Sequence, residues 1–144
     1  MSHLCEAAVL TCEDFRLHQR RGGGNFIGEF VAGLNVDCDI ITRAGCVQDL
    51  VRPQAGSDAS LLRDLVVSVD LHKVKTIYFV AHENCGAYGH FGFENRMLEL
   101  DQHRADLLAA REVVAARFPG VEIQLRIAEL EPGTTDKWRL VIVH

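Results

Sequence analysis

Two short stretches, far apart in the chain, carry side chains suited to holding a metal ion and to acid–base work beside it. The first is Cys12-Glu13-Asp14-Phe15-Arg16 and the second His82-Glu83-Asn84-Cys85-Gly86. A His and a Cys three residues apart, turning off a strand end, can reach one ion across a single turn, and Gly86 gives the backbone latitude for that turn. If residues 12–16 stay extended, Cys12, Asp14 and Arg16 project to one side, because side chains alternate along a strand. Arg16 can then hold Asp14 through a forked pair of hydrogen bonds that keeps the carboxylate ionised and oriented. A carboxylate so held beside a metal ligand is the usual orienting or proton-accepting partner. Cys12, His82 and Cys85 make a mixed thiolate and imidazole set that suits zinc, a borderline-soft ion.

The number of ligands matters as much as their kind. Structural zinc sites fill four positions with protein atoms, whereas catalytic ones supply three and leave the fourth for water. Cys46 and His90 are weaker candidates for a fourth ligand, and Asp14 itself could close the site. An open fourth position implies a water ionised near neutral pH. His90, His18 and Glu83 invite a proton-relay role, but an ordinary surface role is the simpler reading of each. Gly22-Gly23-Gly24 lacks the spacing and the Lys of a phosphate loop and reads as a flexible connection. Cys5 and Cys38 read as small apolar groups. Asp101, Arg104 and Glu112 read as a solvated helix face, and Tyr88 and Phe91 as pocket or interface lining.

The elements that must position these residues follow from the patterning. Ala7 to Thr11 is a short apolar run that reads as a buried strand. Asn25 caps a helix through Leu34, whose apolar face is Phe26, Ile27, Phe30 and Val31. Asp39 to Thr42 reads as a strand ending before Ala44-Gly45. Ser57 or Asp58 caps a helix with Leu61, Leu62, Leu65, Val66 and Val69 on one face, ending near His72. Thr76 to Val80, β-branched and aromatic, reads as a central strand. Residues 95–117 form a longer helix stopped by Pro119-Gly120. Val121 to Ile127 and Trp138 to Val143 read as an antiparallel pair about a Pro132-Gly133 turn. Strands alternating with helices imply right-handed crossovers and an α/β fold, a mainly parallel central sheet flanked by helices with an antiparallel C-terminal pair. Ligands of such sheets bind outside the carboxyl ends of the strands, where Cys12 and His82 both fall.

The whole of residues 1–144 is expected to form one zinc-binding domain, since 144 residues fit one core. A hydrophobic content of 48% with 24% charged residues is that of a globular protein. A net charge of −5, with Arg20-Arg21 the one tight basic cluster, argues against nucleic acid. No apolar run approaches the roughly 20 residues that span a bilayer, and the first residues lack the pattern of a secretory signal. The expected location is therefore the cytoplasm, where five cysteines stay reduced.

Taken together, Cys12-x-Asp14-x-Arg16 and His82-x-x-Cys85-Gly86 resemble the signature of the β-class carbonic anhydrases. The Ala44-Gly45 step, Ser60-Leu61 and Val74-Lys75-Thr76-Ile77 leading into His82 are also similar to that family. The resemblance implies one zinc per chain and the reversible hydration of carbon dioxide to bicarbonate by a zinc-bound hydroxide. In that scheme Asp14 accepts a hydrogen bond from the bound water and Arg16 holds Asp14. A homodimer or higher homo-oligomer is also implied, with no nucleic-acid or membrane partner. Phe15 stands where the family has a small residue, and Thr42-Arg43 where it has Arg-Asn. Other readings are a zinc hydrolase of carbonyl sulfide or carbon disulfide, a non-catalytic zinc-stabilised binding domain, and a metal-free thiol redox protein.

Overall fold

The computed structural model describes residues 3–144, apart from the side chain of His90. Five strands form one sheet: Ala7–Thr11 (β1), Cys38–Thr42 (β2), Thr76–His82 (β3), Glu122–Leu130 (β4) and Trp138–Val143 (β5). Their order is β2-β1-β3-β4-β5, parallel throughout except for the antiparallel β4–β5 pair. The helices are Phe26–Leu34 (α1), Gln48–Val51 (α2), Ser57–Val66 (α3) and Arg96–Arg117 (α4). Among the described residues no helix is long and apolar enough to cross a membrane.

The central strands are apolar because both of their faces are covered. Ala8 and Leu10 of β1 with Ile77 and Phe79 of β3 pack against Leu61 and Leu65 of α3 and Leu107 and Val114 of α4. On the other face Val9, Val80 and Ala128 meet Leu17, Ile27 of α1 and Tyr88. Thr11 is the polar member of β1, and its hydroxyl donates to the Val80 carbonyl at 2.8 Å, which removes the cost of burying it. Asn25 and Asn95 cap α1 and α4 by accepting the Gly28 and Leu98 N–H groups at 2.8 and 3.0 Å.

Several local expectations differ from the structure. Residues 12–16 do not stay extended, because a 3-10 turn runs over Phe15–Leu17 with Asp14 as its cap. The cap of α3 is Gly56 at φ 84, while the Ser57 hydroxyl turns back to the Gln54 N–H at 2.9 Å. That helix ends near His72 as expected, but after Val66 its winding changes to a π-helical turn, Val67–Leu71. Helix α2 has only four residues, too few for an apolar period to show. It is held from outside: Arg52 at its end pairs with Asp106 of α4.

Asp106 sits in a buried knot of its own, taking hydrogen bonds from Arg52, from the Tyr88 hydroxyl at 2.5 Å and from Gln102 at 2.9 Å. Burial pushes its carboxyl up, but these three donors outweigh burial and hold it below the ordinary range. A carboxylate with a depressed folded pKa contributes stability above its unfolded pKa of about 3.9, and the contribution is lost as pH falls below that. Asp106→Asn is therefore expected to cost about 1–3 kcal/mol in urea unfolding at neutral pH. The gap from wild type should narrow steadily below about pH 4.

Candidate metal centre

The site is built where β1 and β3 run side by side in parallel, with Thr11 level with Val80. Cys12 is the first residue after β1, and His82 is the last of β3. The chain then turns through Asn84, which takes the left-handed conformation at φ 57 that Asn tolerates better than most residues, and delivers Cys85. The two sulfurs stand 3.9 Å apart. One ligand atom from each of Cys12, His82 and Cys85 lies within 4.8 Å of the others, and all three side chains are buried.

The donors fit a tetrahedral zinc. Two thiolates about 2.3 Å from such an ion stand about 3.8 Å apart, close to the sulfur separation seen here. The His82 ring is set for the same task. Its Nδ1 lies 2.8 Å from the Glu83 carbonyl. A carbonyl only accepts, so Nδ1 carries the proton and Nε2 keeps its lone pair. That Nε2 is buried and has no hydrogen-bond partner among the described residues. An orphaned acceptor at such depth beside two sulfurs is an arrangement that a cation would satisfy. Hydrogen bonding from Cys85 and the nearby His82 draws the Cys12 thiol down, and the same contact together with burial pushes Cys85 up. The Gly45 N–H also supports the Cys12 sulfur. Gly45 itself has φ 80, and a Cβ there would stand 2.8 Å from the Gln48 side chain and 3.2 Å from that of Ala87.

Asp14 and Arg16 meet as the spacing suggested, but around a turn. Asp14 Oδ1 accepts from the Arg16 backbone N–H at 2.9 Å and from its Nε at 3.0 Å, while Oδ2 accepts from Nη2 at 2.7 Å. The Arg16 guanidinium, followed by its backbone N–H, holds the Asp14 carboxyl down at about 2, with burial opposing. Oδ1 thus has both lone pairs engaged, and Oδ2 keeps one, 3.9 Å from His82 Nε2. Arg16 is in turn held by the Asn84 side chain at 3.2 Å, the Asn84 carbonyl at 2.9 Å and the Thr135 carbonyl at 2.9 Å. Its guanidinium lies 5.4 Å from the centre of the Trp138 ring, which also meets His82 edge-on at 5.5 Å.

The other candidates fall elsewhere. Cys46 belongs to the opposite face of the sheet, where its thiol bonds the Leu10 carbonyl at 3.4 Å and burial pushes its pKa far up. The side chain of His90 lies outside the described residues. His18 donates to the Cys12 carbonyl at 2.8 Å, bracing the ligand loop. Glu83, read as a surface group, is buried and accepts from Arg96 at 2.5 Å and from the Leu130 N–H at 2.7 Å. Arg104 is paired with Asp101 and reaches Glu129, so that helix face is not merely solvated. Phe15 is 69% exposed, with Arg20 over its ring, and does not wall the ligand cluster. Sequence reasoning missed Glu99, which accepts the Cys85 N–H at 3.1 Å and contacts His103 at 3.3 Å. It also missed Thr135 and Trp138, which come from 119 and 122 residues beyond Arg16. Two clefts open at this end of the sheet. One, of about 320 Å³, is lined by Arg16, Asn25 and Trp138 among others, and one, of about 450 Å³, by Glu13, Thr42 and Ala87 among others.

Comparison with known proteins bears on this arrangement. Residues 2–129 match a family described as "Putative carbonic anhydrase". An uncharacterized protein of Rickettsia bellii is 28% identical over 120 residues, spanning 80% of this chain and 71% of that protein. One of Rickettsia conorii is 25% identical over 120 residues, spanning 80% of this chain and 62% of that protein. Among solved structures, a carbonic anhydrase of Streptococcus mutans superposes with a TM-score of 0.57 at 20% identity, covering 100% of this chain and 86% of that one. A carbonic anhydrase of Glaciozyma antarctica gives 0.52 at 19% identity, with 96% and 81% covered. The β-carbonic anhydrase of Aspergillus fumigatus gives 0.52 at 15% identity, with 97% and 76% covered. At such identities the structural likeness is one of fold. With the family match spanning residues 2–129 and the ligand cluster inside that span, this chain belongs to the carbonic anhydrase family so described.

Proposed function

We propose that this chain hydrates carbon dioxide reversibly to bicarbonate, with zinc held by Cys12, His82 and Cys85. The observation that carries the reading is the single free acceptor position of Asp14 Oδ2 beside a buried three-donor cluster. When bound, zinc supplies a Lewis acid that lowers the pKa of a coordinated water to about 7, a figure taken from a carbonic anhydrase of the His-ligated type. The two thiolates would balance the charge of the ion, so a buried, largely apolar setting suits it. His82 keeps Nε2 as a donor atom because Glu83 holds the proton on Nδ1.

Asp14 does not act as a strong base here. With its pKa at about 2 it stays a carboxylate and accepts hydrogen bonds at any ordinary pH. A group that offers only a lone pair favours a neighbour with an O–H, so Oδ2 selects the hydroxylic attacker and turns its own lone pair toward the carbon of carbon dioxide. Overall, a water oxygen bonds to the carbon, one C=O electron pair moves to oxygen, one proton of that water leaves to solvent and the other stays, giving bicarbonate. Arg16 is a positioning residue, since its N–H groups are spent on Asp14, Asn84 and Thr135. Assembly as a homodimer belongs to the same reading, and Ile40 on the edge strand β2 is an exposed apolar residue available for it. Phe15 could favour an apolar sulfur substrate only from within the pocket, and its side chain is exposed instead.

Zinc content and stopped-flow carbon dioxide hydration, measured on wild type and Asp14→Asn, form the deciding experiment. Wild type should be active, while Asp14→Asn should keep the zinc of the Cys12 site and lose about a hundredfold in rate. Background hydration by zinc-loaded wild type would overturn the proposal, and hydrogen sulfide release from carbonyl sulfide would then mark the hydrolase. Arg16→Lys should behave as a weaker Asp14→Asn, losing about tenfold with zinc retained, because an ammonium cannot fork onto both carboxylate oxygens. Cys85→Ser should lower zinc content and the melting temperature together.

A further inference from the structure

A second convergence of ligand-type side chains lies at the amino end of the same sheet, away from Cys12. Cys5 comes from the segment entering β1, Asp39 from the start of β2, and His72 from the end of the π-helical turn. One ligand atom of each lies within 4.8 Å of the other two. Asp39 Oδ2 accepts from the Ser68 hydroxyl and from His72 Nδ1, each at 2.7 Å. The Cys5 backbone N–H donates to the His72 carbonyl at 3.0 Å, which ties the thiol-bearing segment to the imidazole-bearing one. A cavity of about 420 Å³, lined by Asp39, Arg63, Asp64, Ser68 and His72 among others, opens onto the cluster.

We propose that Cys5, Asp39 and His72 form a second site for a divalent transition-metal ion of the zinc type, separate from the centre at Cys12. The donor set points to that class of ion. Thiolate and imidazole favour zinc, cobalt or nickel, whereas magnesium and calcium favour all-oxygen shells. An ion-pair knot of Asp39, His72 and Ser68 accounts for the carboxylate, and the Cys5 thiol, which donates to the Ala7 carbonyl at 3.5 Å, still brings its sulfur within ligand distance of both. The π-helical turn is the second feature. Such a turn is a costly departure from regular winding, frequent at functional sites, and here it aims Ser68 and His72 at one oxygen of Asp39. All three ligand residues are part-buried, so solvent can deliver the ion and fill its remaining position. The occupied site pins the entry to β1, the edge strand β2 and the end of the turn to one another.

The test is metal stoichiometry on the full chain, stripped and then reloaded with zinc or with cobalt. Wild type should bind two equivalents, the second giving its own thiolate-to-cobalt absorption. Cys5→Ala and, independently, His72→Gln should each remove one equivalent and leave carbon dioxide hydration within twofold of wild type. Cys38→Ala, a thiol outside the cluster, should leave both equivalents in place. One equivalent in wild type, unchanged by Cys5→Ala, overturns the site while the Cys12 centre stands. One equivalent that disappears in Cys5→Ala but survives Cys12→Ala supports the site and overturns the centre at Cys12 instead.

Discussion

Because β1 and β3 run parallel and adjacent, level at Thr11 and Val80, their carboxyl ends release Cys12 and His82 into the same small volume. Everything at the centre follows from that register. A slip by one residue would send side chains to the opposite face and separate the sulfur from the imidazole. The register is held by burial of β1 on both faces and by the Thr11 hydroxyl on the Val80 carbonyl. The same apolar packing that stabilises the sheet therefore also sets the position of the donors.

Around that core, Arg16 acts as a clamp. Its guanidinium ties the loop after β1 to the turn after β3 through Asn84, and to the β4–β5 hairpin through Thr135. A point charge of the Lys kind could satisfy one of these partners, but only a planar fork reaches all of them in one geometry. Trp138 closes the arrangement from β5, giving its indole N–H to the Arg16 carbonyl at 3.3 Å while its ring faces both Arg16 and His82. Glu99 plays the matching part from α4, fixing the Cys85 N–H. The centre is thus braced from the strand ends, the hairpin and the long helix, as a site needing accurate geometry should be.

The two ends of the sheet differ in how they use polar groups. At the carboxyl end the donors are buried, and the His82 Nε2 lone pair is left over. At the amino end Asp39 already has two donors and the cluster is open to solvent. Burial with an unspent lone pair favours tight retention of an ion, and partial exposure with competing hydrogen bonds favours weaker, exchangeable binding. Both of those donors sit on Asp39 Oδ2, so Oδ1 is the oxygen that can ligate with the hydrogen bonds kept.

What the sequence by itself determined is the family, the α/β architecture and the strands at whose ends the donor residues fall. Cys12, His82 and Cys85 could be grouped because apolar strands advertise their own ends, and ligands of parallel sheets gather there. The Asp14–Arg16 pair was also legible, since two residues apart they meet in either an extended chain or a turn. The turn itself was signalled by Asp14, a good capping residue, but local propensity could not choose between the two. Tertiary structure alone decided that Phe15 faces outward, that Glu83 is buried, that α3 ends in a π-helical turn, and that Asn84, Thr135, Trp138 and Glu99 hold the site. The physical reason is range. Periodicity and capping act over a few residues, whereas a guanidinium and the carbonyl it needs, 119 positions away, meet only once the sheet has formed.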